Sequence, residues 1–346
     1  MEKTFLKKYI IFSAKGIIAI FVVWYLFKSG RLTKESLERL FKVQNVSYLM
    51  LSGIAFYIAQ FFASIRLAFI LKMTNIQVTL SQILKLTLIG NFFNMVLPGS
   101  VGGDIIKGIY LMKNEEQRKG KSSGIIIMDR LLGLFALLLL AVISIFYFLQ
   151  QNRAIIKLYH QEIYLILLIA VIVSIFFSAV LFFGKNMTIR RKLKEITRRV
   201  FRDSIFYYVV EGFAVITRKR RALIYTIFIS ILIQVLSLLG ILILVSMTTT
   251  VTFSQSITLM AVSSVVLLFG VVPVTPGNIG WLELIASIGW STVGSDMGGK
   301  TFFYWRIICI LFSLPGAILY FLPQYFLTTQ RDSGVGKVTV MENNKK

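Results

Sequence analysis

Histidine and cysteine are almost missing from this chain. Its 346 residues include one histidine, His160, and one cysteine, Cys309. A single thiol excludes an intrachain disulfide. One residue of each kind leaves no His/Cys metal site and no Ser-His or Cys-His catalytic pair. His160 lies in a short polar stretch and reads as a solvated residue. Acids are scarce too: 15 Asp and Glu stand against 38 Lys and Arg, a formal net charge of +23. No Asp-x-Asp pair occurs, and no basic module interleaved with aromatics suggests nucleic acid. The composition therefore points to no metal, no cofactor and no nucleic-acid partner.

What the chain has in excess is apolar. Hydrophobic residues make up 56% of it and the mean hydropathy is +0.77, where a soluble domain holds about 45–50% apolar residues. The excess is gathered in runs at roughly 9–27, 46–71, 80–97, 124–149, 163–183, 222–247, 253–273 and 301–326. Two weaker stretches, 101–112 and 279–293, follow Pro-Gly turns. Backbone groups must pair internally in hydrocarbon, so the runs are predicted to be helices. The fold expected is an all-α integral membrane protein, with about six full spans and two Pro-Gly-broken helical hairpins. The run at 9–27 follows Lys3, Lys7 and Lys8 without a small-x-small cleavage pattern, and reads as an uncleaved first span.

Charge orients these runs. The loop 184–221 holds twelve basic residues, while no Lys or Arg occurs from Ala222 to Gly299. The loop is expected to be cytoplasmic. Ile189, Leu193, Ile196 and Val200 recur in it at helical spacing, the pattern of an amphipathic helix on a membrane surface. The basic segment 28–45 runs against the same rule.

A repeat underlies the pattern. Pro98-Gly99-Ser-Val-Gly102-Gly103-Asp104 matches Pro276-Gly277-Asn-Ile-Gly280-Trp-Leu-Glu283, 178 residues later. An arginine enters the next run in each half, Arg130 at 32 residues beyond Pro98 and Arg306 at 30 beyond Pro276. Counting spans gives the halves, about 46–149 and 222–326, opposite directions, with both termini cytoplasmic. The single transmembrane domain is then 1–328, followed by a polar tail at 329–346. Inverted repeats with broken helices suit alternating-access transport of polar cargo.

Ionisable residues at membrane depth need partners or a function. Arg130 and Arg306 lead, since arginine grips phosphate with two parallel bonds. Asp104, Lys107, Asp129, Glu283 and Asn94 complete the expected headgroup cavity. Pro98, Gly99, Gly102, Gly103, Pro276, Gly277 and Gly280 are expected to make the backbone breaks. Internal ion pairs, Arg130 with Asp104 and Arg306 with Glu283, are the alternative. Arg66 and Lys85 are expected to snorkel to the interface.

The chain resembles the flippase-like membrane protein family related to the transmembrane region of lysylphosphatidylglycerol synthases. The residues that carry the resemblance are Asn94, Leu97-Pro98-Gly99, Gly102-Gly103-Asp104, Asp129-Arg130-Leu131-Leu132-Gly133, Pro276-Gly277, Gly280, Glu283 and Arg306. It covers about residues 5–328. Lys107 and Asp129 stand where the family commonly has Arg and Glu. The resemblance implies a lipid translocase of the cell membrane, without the soluble domain that makes aminoacyl lipids. Its cargo would be a modified phospholipid, a glycolipid or a polyprenyl-linked sugar, and its partners membrane lipids with anionic headgroups. Two other readings stand beside it. One is a non-transporting scaffold for envelope-biosynthesis proteins. The other is a membrane-embedded lipid-sugar transferase. The chain is not expected to be an ATPase of the phosphate-loop class.

Overall fold

The computed structural model describes residues 28, 38, 41–74, 76, 78–96, 102–113, 119–151, 220–272, 274–275 and 278–321. Among them are eight α-helices and no strand. A short 3-10 turn, Val43–Asn45, leads into α1 (Val46–Met73), followed by α2 (Leu80–Val96), α3 (Gly102–Lys113) and α4 (Lys119–Gln151). The second set is α5 (Arg220–Ser246), α6 (Phe253–Phe269), α7 (Trp281–Ser291) and α8 (Gly298–Phe321). The predicted runs at 9–27 and 163–183, nearly all of the basic loop and the C-terminal tail lie outside the described residues.

Four helices, α1, α4, α5 and α8, are long and apolar enough to cross a membrane. Their outward residues are apolar: Ile54, Ile58, Ile224, Phe228, Leu314 and Ile318 are all exposed. An apolar surface of this kind would be a liability in water and matches lipid tails. The chain is a multi-pass membrane protein. The runs at 80–97 and 253–273 form helices too short to be counted with these four. At 17 residues each, α2 and α6 rise about 25 Å, against a hydrocarbon layer of about 30 Å.

The two sets repeat each other element by element, with lengths of 28, 17, 12 and 33 residues followed by 27, 17, 11 and 24. The packing repeats as well. Helix α2 lies on α3 and α3 on α4, as α6 lies on α7 and α7 on α8; α4 packs on α6, as α8 packs on α2. Exchanging the sets maps each of these pairs onto another. The extensive α1–α5 contact maps onto itself. There Ser52 donates to the Gly240 carbonyl, Arg66 to Ser230, and Phe69 stacks edge-on against Tyr225. One number rises as its partner falls, so α1 and α5 run antiparallel.

Each set has a core of its own. Leu67, Ile70, Ile83, Ile125 and Met128 anchor the first, and Ile241, Leu259, Trp290 and Phe302 the second. A shared signal starts the second helix of each set. Thr79-Leu80-Ser81-Gln82 and Thr252-Phe253-Ser254-Gln255 both fold into capping boxes. In each, the threonine hydroxyl accepts from the glutamine N–H, and the glutamine side chain accepts from the threonine N–H.

Candidate functional site: charge clusters at the helix breaks

In the first set, α2 and α3 form a tight hairpin. The helices meet at Gly90 and Gly103, where a Cβ on Gly103 would lie 1.9 Å from the Gly90 carbonyl oxygen. The Asn94 side chain accepts from the Gly103 N–H at 2.8 Å, tying the end of α2 to the start of α3. Gly102 and Gly103 lie within α3's first turn; Pro98 and Gly99 lie outside the described residues. Asp104, also in that turn, faces two cations. Arg130 Nε on α4 is 3.2 Å from one carboxylate oxygen, and Lys107 Nζ, one turn along α3, is 3.7 Å from the other. The Arg130 side chain remains 36% exposed.

The second set builds a related but closed arrangement. Asn278 adopts a positive φ of 57°, and Gly280, at 78°, precedes α7. Those angles favour glycine and tolerate asparagine. The Asn278 side chain donates to the Gly270 carbonyl, and the Trp281 indole to that of Phe269, which fastens the turn to the end of α6. Arg306 on α8 pairs with Glu283 in α7's first turn, through Nε to Oε1 and Nη2 to Oε2 at 3.2 Å. Its Nη2 also donates to the Asn278 carbonyl at 2.8 Å. The two side chains are 9% and 1% exposed. Pro276 and Gly277 lie outside the described residues.

Both expected ion pairs are therefore present. A third pair overturns an expectation. Arg66 does not snorkel: it is buried and grips Asp129, Nε to Oδ1 at 2.7 Å and Nη2 to Oδ2 at 3.0 Å. Its Nη1 donates to Ser230 Oγ on α5 at 2.7 Å. Gln234, one turn along α5, donates to the Gly133 carbonyl on α4. Adjacent residues of α4 thus face different neighbours, Asp129 toward α1 and Arg130 toward α3. Asp129 belongs to this interhelical seam; it is not a member of the Asp104 cluster. Lys85 is exposed on α2.

The residues that the structure brings together, an acid after each Pro-Gly turn and an arginine on the following long helix, are those that carried the family resemblance. The chain matches the family described as lysylphosphatidylglycerol synthase TM region over residues 12–317. It belongs to that family. No curated protein and no solved structure matches it. Membership makes this lysylphosphatidylglycerol synthase TM-region protein a membrane protein related to lipid handling.

One pattern in this family member runs against expectation on its letters alone. Gly294-Ser-Asp-Met-Gly-Gly299-Lys300-Thr301 fits the phosphate-loop spacing. That motif works between a strand and a helix, where its backbone N–H groups cradle phosphates. Here it joins α7 to α8, and Gly298 and Gly299 serve packing. A Cβ on Gly298 would lie 2.1 Å from the Ala286 carbonyl oxygen, and one on Gly299 would press on Glu283 and Ser287. Thr301 is buried. The segment is a helix–helix contact, preceded by a helix where the phosphate loop has a strand. Among the described residues, no three His, Cys, Asp or Glu side chains gather as metal ligands.

Proposed function

We propose that this protein is a lipid translocase, carrying a polar headgroup from one leaflet to the other. The observation that carries the reading is the placement of the two clusters. Each pairs the start of a short helix after a Pro-Gly turn with an arginine inside a long apolar helix, Arg130 eleven residues after Lys119 and Arg306 eight after Gly298. That is about 16 and 12 Å of helix. Charges at such depth are expensive against lipid tails and suit the path of a polar cargo.

The antiparallel packing of α1 on α5 supports an inverted repeat. If those helices are equivalent, the axis relating them lies in the membrane plane, as in transporters that alternate access around a central site. The charge pattern of the sequence supports cytoplasmic termini in the cell membrane. The resemblance supports a phospholipid, glycolipid or polyprenyl-linked cargo.

The test uses purified protein in vesicles of mixed phosphatidylglycerol and phosphatidylcholine, carrying a trace of fluorescent phosphatidylglycerol. A membrane-impermeant quencher reads the fraction in the outer leaflet. Quenching should go well beyond the outer-leaflet half with protein present and stop there in empty vesicles. Equal quenching in both, repeated with glycolipid and polyprenyl-phosphate reporters, would defeat the reading.

A further inference from the structure

Two exposed cations, Lys72 and Arg221, stand at the ends of the long helices α1 and α5. Lys72 is in the last turn of α1 and Arg221 in the first turn of α5. They fall at the edges of two apolar spans, Val43–Met73 and Arg221–Ser246. Among the described residues no carboxylate pairs with either. The acid that reaches α1, Asp129, is committed to Arg66.

Helix geometry brings the two cations together. In the antiparallel α1–α5 pair, Phe69 meets Tyr225 with ring centroids 4.9 Å apart. Lys72 comes three residues after Phe69, and Arg221 four before Tyr225. Those spacings keep a residue on the same helix face, one turn along. Because the helices run oppositely, both steps lead the same way, out of the span. Lys72 and Arg221 therefore share one corner, about 5 Å of helix beyond the ring contact. Like charges at one corner repel each other, and an anion between them reverses that term.

Below the cations the surface of α5 turns apolar. Ile224, Tyr225 and Phe228 lie three, four and seven residues beyond Arg221, a single helical stripe. They are 56%, 41% and 64% exposed. Within about 10 Å of helix this stripe passes from guanidinium through a phenol to hydrocarbon. A phospholipid presents its phosphate, its ester region and its tails in that order, and tyrosine favours the level between. A free phosphate would match only the first of these, and a soluble acidic protein would leave the apolar part uncovered.

We infer that the Lys72–Arg221 corner holds an anionic phospholipid of the surrounding leaflet, with its phosphate between the two cations and a tail along Tyr225 and Phe228. The guanidinium offers the phosphate two parallel donors and the ammonium adds a point charge. A choline headgroup would bring a third cation to the corner, so the site selects for net negative charge. This lipid is a bound partner at the protein's edge, outside the helix breaks. The inference does not rest on the translocase reading.

Native mass spectrometry of the detergent-purified full chain tests this, with dioleoyl phosphatidylglycerol titrated against dioleoyl phosphatidylcholine. The first phosphatidylglycerol should bind about tenfold or more tighter than phosphatidylcholine. K72Q and R221Q should each weaken it about fivefold, and R221K less than R221Q. K42Q removes an exposed lysine at the other end of α1 and should stay within about twofold of wild type. Thermal melting identifies a variant that fails to fold, and either exposed position then carries the comparison. Wild-type affinity in folded K72Q and R221Q, an equal loss in K42Q, or equal binding of the two lipids would overturn the site. Inorganic phosphate at equal concentration should not displace the lipid; displacement would make this a free-anion site and overturn the lipid assignment. Leaflet exchange is a separate readout, and its absence in wild type would leave this binding untouched.

Discussion

Arg66 and Asp129, 63 residues apart in sequence, form a buried two-pronged ion pair that joins α1 to α4, and Ser230 on α5 completes it. The offset that equates Arg130 with Arg306 equates Asp129 with Trp305 and Arg66 with Leu242. Both of those pack against the apolar core of the second set. A polar seam in one half therefore stands where the other half is hydrocarbon. Asp129→Ala should cost about 3–5 kcal/mol, because it leaves a buried guanidinium without its partner. The double variant Arg66→Met/Asp129→Leu should recover most of that loss, since an apolar pair suits this position in the opposite half. Melting curves in one detergent would read both. A double variant as unstable as the single would show that the seam has a role the apolar pair cannot fill.

The meeting of α2 and α3 depends on having no side chain at Gly103. A Cβ there would strike the Gly90 backbone, which has no rotamer through which to yield. Gly103→Ala should therefore destabilise by about 1–3 kcal/mol or more and pry the hairpin open. Gly294→Ala is the matched comparison. Gly294 has a φ of +76° and nothing within 4 Å of its missing Cβ, so only the backbone term, about 1–2 kcal/mol, applies. Heat-challenged samples resolved by size exclusion should rank Gly103→Ala well below Gly294→Ala. The opposite order would mean that the helices separate easily.

An inverted repeat places corresponding residues on opposite sides of the membrane. Ser81 and Ser254 lie in the first turns of α2 and α6, and both are exposed. In a Cys309→Ser background, Ser81→Cys should react with an impermeant maleimide only from the cytoplasmic side, and Ser254→Cys only from outside. Labelling of both from one side would rule out the inversion.

Cys309 is buried on α8 and is the chain's one thiol. It should resist maleimide in the folded protein and react fully once denatured. The labelled fraction against temperature then reports unfolding of the second core without an added probe. Rapid labelling of the native protein would show that α8 is more open than its packing implies.

Much of this architecture can be read from the sequence, for reasons of chemistry. Apolar runs in lipid have few choices besides a helix, so α1, α4, α5 and α8 follow from hydropathy. The acids after the Pro-Gly turns and the two arginines stand out because charge is rare among apolar neighbours. Arg66 misleads because nothing local distinguishes an arginine near a span end from one aimed inward at Asp129. The phosphate-loop letters mislead in the other direction, since what decides them is the element before the glycines. The paired Thr-x-Ser-Gln caps were open to reading: two matching helix-start signals, each before a helix of 17 residues, point to a repeat as the prolines do.

On the proposed translocase reading, the polar seam at Arg66 bears on which way the protein would rest. A transporter made of two interchangeable halves has two poses, each obtained from the other by swapping their roles. With perfectly matched halves these poses would be isoenergetic, and the molecule would spend equal time facing each leaflet. The Arg66–Asp129 pair has the apolar Leu242 and Trp305 at its counterpart positions, so the degeneracy would be lifted. Each 1.4 kcal/mol of difference skews the populations about tenfold. In the translocase proposed above, this ion pair would favour one facing over the other.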